Sequence, residues 1–128
     1  MGFTRVVLLA GALAVATASA GVAAGLHTKL DKAVPEANGT TSESVSELHL
    51  IYNAPVQLFL SRVTISKDGE AIEGGKLEHL EGSEEQGLRL PLMTTLTPGT
   101  YKVDWQTASS DSHKITGDYT VTVTAVDK

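Results

Sequence analysis

Between Tyr101 and Val123 the chain alternates apolar and polar residues on both sides of a polar centre. Tyr101, Val103 and Trp105 share one parity, with Lys102 and Asp104 on the other, and Tyr119, Val121 and Val123 repeat the pattern, continued by Ala125. A period of two puts successive side chains on opposite faces of a strand, so each run predicts a half-buried strand. The stretch 107–116 between them reads as a polar loop. Leu48, Leu50 and Tyr52 alternate in the same way with His49 facing outward, and Leu88, Leu90 and Leu92 do so later. Val56, Leu58 and Leu60 alternate on one parity and Val63 and Ile65 on the other, which predicts a bulge near Ser61 or two separate strands. Asp68-Gly69 is a hairpin signal, and Pro98-Gly99 marks a turn. The segment 38–46 reads as a polar loop, and 73–87 as a long acidic loop with one weak strand. Sustained helical periodicity is absent. About six or seven short strands in roughly 100 residues predict an all-β fold, an antiparallel immunoglobulin-like Greek-key β-sandwich.

The first residues do not belong to that sandwich. Arg5 precedes an apolar run from Val6 to Ala16, and Ala18-Ser19-Ala20 suits a signal peptidase. A bilayer needs ~20 apolar residues, and this run is shorter. Residues 1–24 are therefore expected to be a cleaved signal peptide, cut between 20 and 26, with the domain at 27–128. Ten Lys and Arg stand against 15 Asp and Glu, a net charge of −5. Only Arg5 falls in the leader, so the remainder is more acidic still. Such a chain is a poor partner for nucleic acid or anionic lipid and favours a cation. It contains no cysteine, so disulfides and thiolate metal sites are both impossible.

The chemistry gathers at Asp111-Ser112-His113, in the loop between the two clearest strands. A carboxylate oxygen and an imidazole nitrogen on one loop suit a tetragonal Cu(II) ion. Spacing alone leaves open a second reading, an Asp and a His that are merely solvated. The surrounding residues bear on that choice. Leu96-Thr97-Pro98-Gly99-Thr100-Tyr101-Lys102-Val103-Asp104-Trp105, followed by Ser109-Ser110-Asp111-Ser112-His113 and Gly117, resembles the C-terminal signature of the CopC family of periplasmic copper resistance proteins. Looser similarity covers 27–35 and 50–56, where Tyr52 stands in place of the usual Phe.

The resemblance implies a Cu(II) site built from His27, Asp111 and His113. In the family the histidine is the first mature residue, so its amine and ring both bind. This chain departs there, because Leu26 makes a poor cleavage position. Cleavage after Ala20 would leave His27 seventh. Cleavage after Ala24 would place it third, where amine, two amides and imidazole can wrap Cu(II) in a plane. A Glu found in some members at a Ser-Glu-Pro turn is Ala54 here. Met93 is the only methionine after the leader, which speaks against a separate Cu(I) site and reads as a core gap-filler. His49 reads as a solvated strand residue, His79 as part of the flexible acidic loop, and Trp105 as a core residue.

The resemblance implies a periplasmic, monomeric protein that holds Cu(II) for tolerance, homeostasis or delivery, with an inner-membrane copper transport protein as its protein partner. An enzyme is not expected, since no Ser-His-Asp triad or paired catalytic carboxylate is evident. Two other classes stay open on the residues alone. One is a copper-dependent oxidative enzyme on a similar sandwich. The other is a metal-free immunoglobulin-like interaction module.

Overall fold

A computed structural model of the chain describes residues 28–125. The expected signal peptide and His27 lie outside the described residues. Among the described residues nine strands follow one another: β1 Leu30–Val34, β2 Gly39–Thr41, β3 Glu47–Tyr52, β4 Arg62–Lys67, β5 Glu70–Ile72, β6 Glu78–His79, β7 Gly87–Pro91, β8 Gly99–Ala108 and β9 Lys114–Val123. A 3-10 turn, Leu58–Leu60, sits between β3 and β4. The strands form two sheets, ordered β1-β3-β7-β6 and β2-β9-β8-β4-β5. The chain crosses repeatedly between them, as an immunoglobulin-like Greek-key sandwich requires. Pairing is antiparallel except for β2, which lies parallel to the end of β9.

Alternation places one face of each sheet inward. Leu48, Leu50 and Tyr52 of β3 meet Leu88 and Leu90 of β7, and across the sandwich lie Ile65, Tyr101, Val103, Tyr119, Val121 and Val123. Burying such side chains contributes about 1.5–3 kcal/mol each, which a domain without disulfides depends on. The Tyr101 hydroxyl donates to Thr97 O at 2.6 Å, a tyrosine corner that secures the entry to β8. The hydroxyls of Tyr52 and Tyr119 are buried with no hydrogen-bond partner among the described residues, and burial raises both phenols well above their ordinary range.

The structure revises four local expectations. The Val56–Leu60 alternation is not a strand. Val56 makes one isolated bridge to Ser109, and the chain then turns in 3-10 geometry with Phe59 exposed. The parity slip before Val63 marks this crossing between the sheets. The polar segment after Asn38 contains β2, whose three residues borrow the free edge of β9. The loop expected over 107–116 is only 109–113. Thr107 and Ala108 are fully buried at the end of β8, where the Thr107 hydroxyl lies 2.6 Å from that of Ser61. Met93 is exposed, at the end of the sandwich where β8 begins. The hairpin itself keeps its predicted chemistry. Asp68 and Gly69 both take positive φ, 54° and 84°, as a two-residue type I′ connection demands.

Candidate metal centre

The β8–β9 hairpin is paired continuously from Gly99↔Val123 to Ala108↔Lys114. Ten residues on each arm carry its tip about 30 Å from the Gly99 end. The loop closes through two backbone hydrogen bonds, Ser112 N to Ser109 O at 2.8 Å and Ser109 N to His113 O at 3.3 Å. Ser112 takes φ 68°, the left-handed conformation that commonly ends a three-residue hairpin loop.

This geometry turns Asp111 and His113 to the same side. Oδ2 of Asp111 lies 3.4 Å from Nδ1 of His113. The other carboxylate oxygen accepts hydrogen bonds from the Ser109 hydroxyl and, at 3.2 Å, from the His113 backbone N–H. These bonds, the Ser109 hydroxyl foremost, hold the Asp111 carboxyl below the usual carboxylate range, so it stays an anion. Both side chains face water, His113 at 85 % and Asp111 at 69 % exposure. Their donor atoms are open to an ion, and the oxygen and nitrogen pair fits Cu(II) chemistry.

Two protein donors do not complete a site. Among the described residues no group of three or more His, Cys, Asp or Glu converges on one point. The third ligand that the family resemblance implies, His27, precedes the first described residue. Thr28 lines a surface hollow together with Trp105, Ile115, Thr116 and Gly117, so the described chain begins beside the strand that leaves His113. Trp105 closes this end of the core. Its indole meets Tyr52 edge-on, with ring centres 5.2 Å apart, and it is packed against the core while staying partly exposed.

The remaining histidines are engaged elsewhere. His49 does not sit free in solvent. Its Nε2 is 2.5 Å from Glu47 Oε2, and the same carboxylate accepts from the Arg89 guanidinium at 2.8 and 3.1 Å. His79 is not in a flexible loop. It occupies β6 with Nε2 3.0 Å from Val56 O. Sequence reasoning missed Gln57, whose amide reaches the loop at Ser109 and Ser112. Nothing local in the sequence signals it, because the contact spans more than fifty residues.

A small immunoglobulin-like sandwich with an exposed carboxylate and imidazole at the tip of its longest hairpin defines the class. The CopC domain family model matches residues 30–124, and the chain belongs to that family. Protein YobA of Escherichia coli K12 is 31% identical over 104 residues, covering 76% of this chain and 78% of that protein. Copper resistance protein C of Pseudomonas syringae pv. tomato is 32% identical over 107 residues, with 76% and 80% covered. Among solved structures, CopC from Methylosinus trichosporium OB3b superposes with a TM-score of 0.70 at 25% identity, covering 80% of this chain and 98% of that one.

Proposed function

We propose that the chain is an exported copper-binding protein of the periplasm that captures Cu(II) and contributes to copper tolerance or delivery. Residues 1–24 serve as its signal peptide, and 27–128 form the binding domain. Asp111 and His113 supply an oxygen and a nitrogen from one loop, and His27 supplies the third ligand from the segment before Thr28. The observation that carries this reading is the Asp111 Oδ2 to His113 Nδ1 approach of 3.4 Å on an exposed, hydrogen-bonded loop, in a chain of a family with copper resistance members. The Ser109 hydroxyl donates to the Asp111 carboxylate, which favours its ionised form and helps fix its orientation. Divalent copper leads its series in affinity for such donors, which favours it over competing ions. The protein acts as a carrier rather than a catalyst, with an inner-membrane copper transporter as the acceptor.

Cu(II) titration of chains beginning at Gly21, Gly25 and His27, each with and without His113→Ala, tests the proposal. The chain beginning at His27 should bind through amine and ring together with the loop ligands. The chain beginning at Gly21 should bind more weakly, because His27 then contributes its ring without an amine. Identical binding by all three, undiminished by His113→Ala, would exclude the proposed ligand set.

A further inference from the structure

The loop bearing Asp111 and His113 is not held by its own hairpin alone. The chain that leaves β3 passes beneath it at Val56 and Gln57. Val56 forms an isolated antiparallel bridge with Ser109, and Gln57 N donates to Ala108 O at 2.9 Å. The Gln57 side chain then reaches into the loop. Its Nε2 donates to Ser109 O at 2.7 Å and to the Ser112 hydroxyl at 3.2 Å. These two acceptors bracket Asp111 in sequence.

Gln57 is itself anchored from both sides. Its carbonyl accepts from the Ser61 hydroxyl at 2.7 Å, and the same hydroxyl meets buried Thr107 at 2.6 Å. On the other side Val56 N donates to Glu85 O at 2.9 Å, and Val56 O lies 3.0 Å from His79 Nε2. The crossing segment is thus a crosspiece fixed to both halves of the sandwich.

We infer that Gln57 is a positioning residue, clamping Ser109 and Ser112 so that Asp111 and His113 present their donor atoms together before any ion arrives. The clamp stands on the hydrogen bonds, and its consequence for copper rests on the function proposed above. An exposed loop with a left-handed Ser112 must be ordered at a cost, and ordering it beforehand removes that cost from ion capture. A primary amide suits the task because its one nitrogen carries two N–H donors and can serve two acceptors at once. A Glu at this position has no donor, and Asn is one methylene shorter.

Gln57→Met keeps the length of the side chain and removes both donors. In the full chain it should weaken Cu(II) about 10- to 100-fold by chelator competition, the range usual for residues that orient metal ligands. The Cu(II) hyperfine splitting should change as well. In the metal-free protein the backbone order parameters of 109–113 should fall while those of β3 and β7 hold. A variant that was merely less stable would not confine the loss to the loop. Ser112→Ala, at an exposed position, removes only the longer contact and should cost less. Combined with Gln57→Met it should add little further loss. Wild-type affinity in Gln57→Met, or loop order unchanged from wild type, overturns the inference. If the wild-type chain shows no Cu(II) response at Asp111 and His113, the copper reading itself falls. The order parameters then decide the clamp, a loosened loop supporting it and an unchanged one overturning it.

Discussion

Trp105 and Gly117 face one another across the β8–β9 ladder so closely that a Cβ on residue 117 would lie 2.4 Å from Cζ2 of the indole. The indole lies across the strand opposite, and glycine leaves it the room. The same ring packs edge-on against Tyr52 of the other sheet. One side chain therefore joins the two layers at the end of the sandwich nearest the Asp111 loop.

Gly117→Ala should displace that ring. Overpacking of this kind costs about 1–3 kcal/mol, read as a lowered urea midpoint with an unchanged slope. Because Trp105 is the only tryptophan, its emission should shift to the red in the folded variant. Unaltered emission and stability would show that the contact is absent in solution.

Asp111→Ala and His113→Ala should each weaken Cu(II) binding strongly while shifting unfolding by no more than about 0.5 kcal/mol, as expected for exposed positions away from the core. Competition with selective chelators should show Cu(II) held far better than Cu(I). The chain has no cysteine, and Met93 lies where β8 begins while the loop lies where β8 ends. Tight Cu(II) binding by the double variant would place the site elsewhere.

Tyr52→Phe should stabilise the fold by about 1 kcal/mol, because it removes a buried hydroxyl that has lost water and found no partner among the described residues. The ring packing with Trp105 is retained. Denaturant unfolding of the two chains at neutral pH measures the difference, and a loss of stability would reveal a partner for the hydroxyl.

Glu47 should contribute to the acid limb of the stability curve. Hydrogen bonds from Arg89 first, and then His49, hold its carboxyl below the ordinary value of ~4.3, while Glu78 shares the Arg89 guanidinium. A folded-state pKa below the unfolded one gives stability that is present above the unfolded value and lost as pH falls through the folded value. The gap between wild type and Glu47→Gln should therefore close as pH falls below about 4.3. Glu47 is partly exposed, so salt should shrink the gap. A gap that widened as pH fell below about 4.3 would contradict this sign.

The sandwich was legible wherever a strand is half buried. The alternation of Leu48, Leu50 and Tyr52, of Tyr101 and Val103, and of Tyr119, Val121 and Val123 is local and survives into the inner faces of both sheets. Asp68-Gly69 was equally legible, because a type I′ turn is specified by its own two residues. So were the Asp111-x-His113 motif and, through the residues around it from Leu96 to Gly117, the family, since these lie in or beside one hairpin.

What could not be read locally was everything decided by a partner far along the chain. The three residues of β2 form a strand because β9 offers them an edge. Thr107 is polar by composition yet fully buried, since the Ser61 hydroxyl satisfies it. His49 and His79 take their surroundings from Glu47 and from Val56 O, and Gln57 gains its place at the loop from contacts more than fifty residues away. Periodicity and turn chemistry are properties of neighbours in sequence, so the sequence by itself determined the half-buried strands and the acid–imidazole pair between the last two of them. Hydrogen-bond satisfaction is a property of neighbours in space, so only the tertiary structure decided which polar side chains stand free and which hold that tip in shape.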